Sequence, residues 1–338
     1  MDKISVVGID LGKAVFHVHG SDAQGRTVLE RRFSRKALRI WLTRLEPCLI
    51  GMETCAGAHH WGRWLRAQGH EVRLMNPRYV KAYVKTNKND ARDAEAITEA
   101  ATRANMRFSS IKTVAQQEVL MLHRARSRAV AARTALANQV RGFLIEFGIV
   151  VPQGLGVLRQ RLPEILDDSQ TEFGSTGRTL LRELREELVA LDGRVASLDF
   201  RLRREAENDE RCRRLQGLPG IGPLTATALV SSIGDVTNFS NGRHLAAWLG
   251  LVPRQHTTGG KPRLLGISKR GDRYLRTLLI HGARAALRGA PKRDDRCSRW
   301  VLALERRRGR NIAIVALANK MARMVWAVWS RQQTYLPA

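Results

Sequence analysis

Residues 5–20 read SVVGIDLGKAVFHVHG, and this stretch decides the fold. SVVGIDLG is a short apolar run of strand length, which predicts a buried strand. A turn at 11–13 leads into VFHVHG, a second strand. Beyond it, SDAQGR is turn-like and TVLERRF alternates as a third strand would. A helix over 38–45 precedes CLIGME, a fourth strand ending in Glu53. A helix over 60–68, closed by Gly69, precedes EVRLM, a fifth strand. The chain therefore opens as an α/β domain. Within it, Asp10 sits in an apolar strand, where a charge is costly unless it is paired or bound to a metal.

The 338 residues allow two or three domains and more than one core. Lys and Arg number 58 against 31 Asp and Glu, a formal charge of +27. The excess runs through helical patterns rather than a tail. That points to a folded protein meeting a polyanion, with nucleic acid ahead of an acidic protein or a membrane surface. No long uncharged apolar run reads as a bilayer span, and MDKISVVGID does not read as a signal peptide. Cys48, Cys55, Cys212 and Cys297 are too scattered for a CxxC pair or a disulfide framework, which fits a reducing cytoplasm.

After a helix from Asp90 to about Thr102, residues 116–147 carry apolar residues at helical spacing with Arg on the other faces. Residues 148–177 are looser, with a short helix expected at 163–167. Leu181, Leu184, Leu188, Leu191, Val195, Leu198 and Leu202 then form a heptad seam that either joins two protomers or folds back on the 116–147 helix. The expected division is 1–110, a catalytic α/β domain; 111–210, a helical coiled-coil and dimerisation region; and 211–338, a mainly α C-terminal domain.

Asp10, Glu53, Asp90 and Asp93 form the candidate chemical centre. Two lie at strand centres or ends, and two lie three positions apart on one helix face. Such oxygen ligands suit Mg²⁺ or Mn²⁺, and paired ions can clamp a phosphodiester. The competing reading of the helical pair is a helix start, with Asn89 or Asp90 as cap and Asp93 serving the dipole. GIDLGK also resembles the first phosphate loop of actin-like and sugar-kinase ATPases, but no second phosphate loop follows it.

Two C-terminal motifs add to this. LPGIGPLTATALVSSIG resembles the second half of a helix-hairpin-helix, in which Gly220 and Gly222 would let backbone N–H groups approach a phosphate. A purely structural turn is the alternative. RQHTTGGKPRLLGISKRGDR reads as a polar, Gly-rich basic loop. It holds the hydroxyls of Thr257 and Thr258 and the cations Lys261, Arg263, Lys269, Arg270 and Arg273. A hydroxyl there could attack a phosphodiester if a base or metal activated it; composition alone favours a plain DNA-binding loop. The histidines show no zinc spacing, and Trp326 and Trp329 read as core.

GIDLGKAVFHVHG, GMETCAGAHHW, NKNDARDAEAI, LPGIGPLTATALV and LAAWLGLVPRQHTTGGKPRLLGISKRGDRYLR occur in this order. Together they resemble the DEDD-type insertion-sequence transposases whose type member is numbered one hundred and ten, relatives of the Piv-type DNA invertases. The resemblance covers essentially the whole chain. It implies an RNase H-like, RuvC-like N-terminal domain with Asp10, Glu53, Asp90 and Asp93 as metal-binding catalytic residues. It further implies a coiled-coil linker and a C-terminal domain whose nucleophilic serine forms a covalent DNA intermediate. Dimers pairing into tetramers on donor and target DNA, and a guide RNA encoded by the element, are also implied, as is a bacterial, nucleoid-associated location. Here the family's serine falls on Thr258, with Thr257 and Ser268 as alternatives. The extra methyl of threonine crowds an in-line attack and stiffens χ1. Two rivals stand beside a transposase: a RuvC-like, structure-selective nuclease with water as nucleophile, and a non-catalytic nucleic-acid-binding protein.

Overall fold

The computed structural model describes residues 3–84 and 90–336, with Asp90 described in its backbone alone. Asn89, one of the two candidate caps, lies outside the described residues. Contacts divide the chain into two units: residues 1–114 with 233–238, and residues 115–232 with 239–338.

The first unit is a mixed sheet with helices. In chain order it contains β1 (Val6–Asp10), β2 (Val15–Ser21), β3 (Thr27–Ser34), α1 (Arg35–Arg44), β4 (Leu49–Glu53), α2 (Ala58–Ala67), β5 (Glu71–Met75), the single-turn α3 (Pro77–Val80), α4 (Asp90–Thr102) and β6 (Phe108–Ser109). The sheet order is β3-β2-β1-β4-β5-β6. β1, β2 and β3 form an antiparallel meander, β4 and β5 run parallel to β1, and β6 returns antiparallel. This topology is consistent with an RNase H-like domain. All five expected strands are present. The sixth, only two residues long and without alternation, gave no sequence signal.

Period-two alternation sorts the sheet into two faces. Val7, Ile9, Phe16, Val18, Ile50 and Met52 are buried in one cluster with Leu38 and Leu42 of α1 and Trp61 and Leu65 of α2. The opposite face carries Gly8 and Gly51, which stand side by side in the β1–β4 ladder. Here α4 lies directly on the sheet. A Cβ on Gly8 would come within 2.3 Å of the Ala94 carbonyl oxygen, and one on Gly51 within 2.7 Å of the Ala101 Cβ. Glycine at both positions lets helix backbone rest on strand backbone. The segment at 233–238 is tied back to this unit by the Asn238 Nδ2, which donates to Ser110 Oγ at 2.6 Å.

The second unit is helical except for one hairpin. It comprises α5 (Val114–Glu146), α6 (Leu155–Asp167), α7 (Ser175–Asn208), α8 (Glu210–Gln216), α9 (Pro223–Ile233), α10 (Gly242–Trp248), β7 (Pro253–Thr258), β8 (Lys261–Ile267), α11 (Arg273–Gly289), α12 (Arg296–Arg308) and α13 (Arg310–Arg331). Two expectations need correction. The short helix placed at 163–167 is the end of the longer α6, which accommodates Pro163 internally. The polar segment after Val252 is a β-hairpin rather than a loop. Its β-branched Thr pair and its Gly-Gly turn are hairpin chemistry that its charge obscured.

The heptad seam folds back within the chain. Leu181 and Leu188 of α7 are buried with Leu136, Val140 and Leu144 of α5 and Leu158 and Leu162 of α6. Ion pairs flank this contact: Arg126 with Asp199, and both Arg133 and Arg159 with Asp192. α13 is the one helix among the described residues long and apolar enough, by length and composition, to cross a membrane. It buries Ile314, Leu317, Met321 and Val325 and packs against α10, α11 and α12.

A polar contact joins α5, α9 and α11 in this unit. His123 is buried, with Nδ1 3.0 Å from Tyr274 Oη and Nε2 3.1 Å from Thr227 Oγ1. Burial, reinforced by the Arg126 charge, pushes this imidazole down to about 4.

Two predictions follow from these packings. Gly8→Ala will destabilise the first unit by about 1–3 kcal/mol, the usual cost of overpacking, read by urea unfolding. For His123, the unfolded chain takes up a proton near pH 6.5 while the folded chain stays neutral to about 4. Stability is therefore lost as pH falls through that window, by up to about 3 kcal/mol. His123→Gln should unfold with a shallower pH dependence over the same range.

Candidate active site

β1 and β4 end level with each other. Ile9 lies opposite Met52 in the parallel ladder, so the next residues, Asp10 and Glu53, stand side by side at the strand ends. Alternation puts both carboxylates on the face of Gly8 and Gly51, the face that α4 covers. Both are half-buried. His17 is the cross-strand partner of Asp10 on β2 and shares that face.

The field of this pair is visible at Cys55. Burial raises the Cys55 thiol pKa, and the negative charges of Asp10 and Glu53 raise it further. Both carboxylates therefore lie within electrostatic range of the Cys55 thiol. Carboxylate oxygens suit a hard divalent ion. The acid pair offers two of the oxygen ligands that such an ion takes.

The helical acids are less closely joined to it. Asp93 lies in the first turns of α4, half-buried, one helical turn before the buried Ile97. The Asp90 side chain lies outside the described residues. Among the described residues, no group of three or more His, Cys, Asp and Glu side chains is arranged to hold a metal. The structure brings Asp10 and Glu53 together and sets Asp93 on the helix above the same face.

What fixes α4 over this face was not anticipated from the sequence. Thr98 Oγ1 donates to the Ala94 carbonyl at 2.9 Å and lies 3.0 Å from His19 Nδ1. It also lies 3.2 Å from the His19 carbonyl oxygen. The other His19 nitrogen lies 3.1 Å from Thr27 Oγ1. This chain of contacts runs from the exposed Thr27 of β3 through the buried His19 of β2 to α4. At the far end of the helix, the Arg73 Nη1 donates to the Ala101 carbonyl at 2.9 Å. The one sequence signal for such a clamp is His19 facing inward two residues from His17.

In the second unit, the candidate nucleophiles lie at a hairpin tip. Thr257 pairs with Pro262 and Thr258 with Lys261, and Gly259 and Gly260 form the turn between them. Their φ values of +57° and +73° meet the requirement of a two-residue type I′ turn, which non-glycine residues rarely satisfy. Both threonines are exposed, as are Lys261, Arg263, Lys269, Arg270 and Arg273. Their side chains alternate across the strand; Thr257 Oγ1 accepts a 3.0 Å hydrogen bond from Gln255 Nε2. Ser268 is half-buried at the hairpin base, where its N–H donates to the Val252 carbonyl at 2.8 Å.

The base is held more firmly than the tip. Lys269 has a φ of +54° and donates its N–H to the Gly250 carbonyl at 3.1 Å. Arg276 Nη1 donates to the carbonyls of Leu249 and Gly271, each at 3.1 Å. The LPGIG turn joins α8 to α9. Gly220 packs its backbone against α11, where an added Cβ would come within 2.4 Å of the Gly282 carbonyl oxygen. Gly222 is exposed, with open space where a Cβ would sit.

Known proteins resemble the chain along its whole length. A family described as "Transposase IS116/IS110/IS902 family" matches residues 212–297, and a DEDD transposase family of the IS110 type matches residues 7–149. A "Probable family 20 transposase" of Pseudomonas aeruginosa is 48% identical over 99% of this chain and 99% of its own. The transposase for insertion sequence element IS1111A of Coxiella burnetii is 44% identical over 99% of this chain and 92% of its own. The transposase for IS1328 of Yersinia enterocolitica is 40% identical over 97% of each.

The electrostatics of the acid pair can be tested without any reaction. Asp10→Asn and Glu53→Gln each remove a negative charge near the Cys55 thiol, so the thiolate fraction rises. Iodoacetamide should alkylate Cys55 faster at pH 8 in both variants than in the parent; equal rates would mean that the charges do not reach it.

Proposed function

The chain belongs to the IS110/IS116/IS902 family of DEDD transposases, and from that premise we propose that it cuts and exchanges DNA strands through a covalent ester between a threonine hydroxyl and DNA. The observation that carries this reading is the level pairing of Asp10 and Glu53 on one face of a sheet consistent with an RNase H-like fold. Asp10, Glu53, Asp90 and Asp93 would hold Mg²⁺ or Mn²⁺. When bound, the ion would favour ionisation of the attacking hydroxyl and neutralise charge on the phosphate.

The chain's own residues supply the rest. Thr258, at the end of β7, is our choice of nucleophile. The type I′ turn presents its hydroxyl clear of the helices, on the strand face opposite the Gln255–Thr257 hydrogen bond. Thr257 is the alternative, and Ser268 is disfavoured by its place at the hairpin base. Lys261 and Arg263 would neutralise the DNA backbone near the hydroxyl, and Lys269, Arg270 and Arg273 would do so farther along, at the hairpin base. Attack by threonine Oγ1 on phosphorus forms one P–O bond as another breaks, and the leaving deoxyribose oxygen takes a proton. An ester replaces an ester, so strand exchange needs no ATP.

In this reading residues 1–110 are the catalytic domain, 111–210 the coiled-coil and dimerisation region, and 211–338 the transposase domain. A dimer that pairs into a tetramer on donor and target DNA belongs to this reading as the family resemblance implies it. Gly222 at the α8–α9 turn is a helix-hairpin-helix-like phosphate contact, and Gly220 shapes that turn. A guide RNA encoded by the element directs target choice, which accords with the +27 charge, and the protein acts at the bacterial nucleoid in the cytoplasm.

The test is a trapping experiment with labelled element-end DNA and Mg²⁺, resolved on a denaturing gel. Protein-linked DNA is expected from the parent and from Thr258→Ser. It should be absent from Thr258→Val, and Asp10→Ala should lose at least about 100-fold in rate, the scale on which preorganised transition-state charge stabilisation acts. Cleavage without linked protein would favour the hydrolytic nuclease. No cleavage with any divalent ion would favour the non-catalytic binder.

A further inference from the structure

The second unit contains a groove of about 1360 Å³ that the strand-exchange chemistry does not use. β8 forms one wall, and α10, α12 and α13 form the others. Its existence follows from the composition of α13. That helix is apolar on more than one side: Ile314, Leu317 and Met321 are buried, whereas Ile312 is 50% exposed and Val315 half-buried. The uncovered side faces Leu264 and Ile267 of β8 across the groove, and Leu264 is 67% exposed. An apolar floor of this kind, open to water, implies an occupant.

The rim restricts what that occupant can be. Arg243, Arg308, Lys320 and Arg323 line the groove, and none of the lining residues is Asp or Glu. The ligand is therefore anionic at its edges and apolar in its middle. Trp300 lines the same groove, exposed, with Lys320 Nζ 4.3 Å from its ring centroid. This cation–π contact steadies the ring by covering one of its faces, and the residue stays 37% exposed. Asn311 and Asn319 add amide groups, and Asn319 is oriented by its Nδ2, which donates to the Leu251 carbonyl at 3.2 Å.

We propose that this groove binds unpaired nucleotides, with bases on Trp300 and the aliphatic floor and phosphates on Arg243, Arg308 and Arg323. A duplex stacks its base faces internally and can offer an apolar floor nothing. An unpaired strand exposes those faces, and aromatic platforms with flanking cations and amides are the usual means of holding them. The amides favour bases over a protein helix, since they can meet the donors and acceptors of base edges.

The site deepens the proposed function and rests on it. Thr258 is paired with Lys261 across the hairpin, and Leu264 lies three residues further along β8. At strand rise that is about 10 Å, the reach of one or two nucleotides. The groove would therefore receive bases unpaired beside the position of attack.

The experiment is fluorescence anisotropy with the full-length protein in EDTA. The probes are a fluorescein-labelled single-stranded oligonucleotide and the same sequence as a duplex. Trp300→Ala and Leu264→Asp, both at exposed positions, should each weaken the single strand roughly tenfold, the worth of one stacked base, and change duplex affinity less than about twofold. Trp300→Phe should restore most of the loss. Unchanged single-strand affinity in both variants, or an equal loss for the duplex, would overturn the assignment. So would an acidic amphipathic peptide whose binding these variants abolish while the oligonucleotide is unaffected. Because EDTA removes metal chemistry, failure to trap a threonine–DNA ester leaves this readout intact, and the two readings fail separately.

Discussion

The first unit depends on one close approach, the seating of α4 on β1 and β4 at Gly8 and Gly51. Two adjacent strands lack side chains at the same level, so the helix backbone comes down onto the sheet. Everything that makes the acid face a site depends on this. Asp10 and Glu53 are each two residues beyond a glycine, hence on the same face, beside the helix that carries Asp93. A bulkier pair of residues would lift the helix and leave the carboxylates facing an open surface. The His19–Thr98 contact fixes the helix along its length, where the glycines alone would let it slide.

The second unit solves a different problem. Its hairpin is anchored at one end and bare at the other. The Arg276 contacts and the Ser268 and Lys269 backbone bonds tie the base to helical scaffold. The tip carries exposed hydroxyls and cations. A rigid base with an exposed tip suits a group that must enter a polyanionic substrate without carrying the scaffold along. The ion pairs between α5, α6 and α7 act further off. They place arginines against aspartates inside the unit, so part of the basic excess is structural.

Much of this was legible in the sequence. The strand runs, the position of Asp10 in an apolar segment and Glu53 at a strand end depend on local alternation, and local alternation is what sequence displays. The α4 helix was equally readable from Asp90 onward. What could not be read are features that arise from meeting partners distant in the chain. Thr98 looks like an ordinary helical threonine until His19 is seen against it, 79 residues away. His123 likewise joins Tyr274 only in three dimensions, across 151 residues. The leucine seam left two partners open because heptad spacing specifies a helical neighbour without specifying which chain supplies it. The hairpin was missed for another reason: charge and glycine content were read as a loop, although adjacent glycines between β-branched and alternating residues are a turn signal in their own right.

The brief return of the chain at 233–238 has a practical meaning for anyone wishing to take the molecule apart. Those six residues belong to the unit that the polypeptide otherwise leaves at residue 114. A recombinant fragment stopping there would keep every strand of the sheet and still lack a piece of its own fold, including the Asn238 side chain that reaches Ser110. The halves are interleaved in sequence, so no single cut yields both intact. Any dissection must graft the returning segment back or express the polypeptide whole.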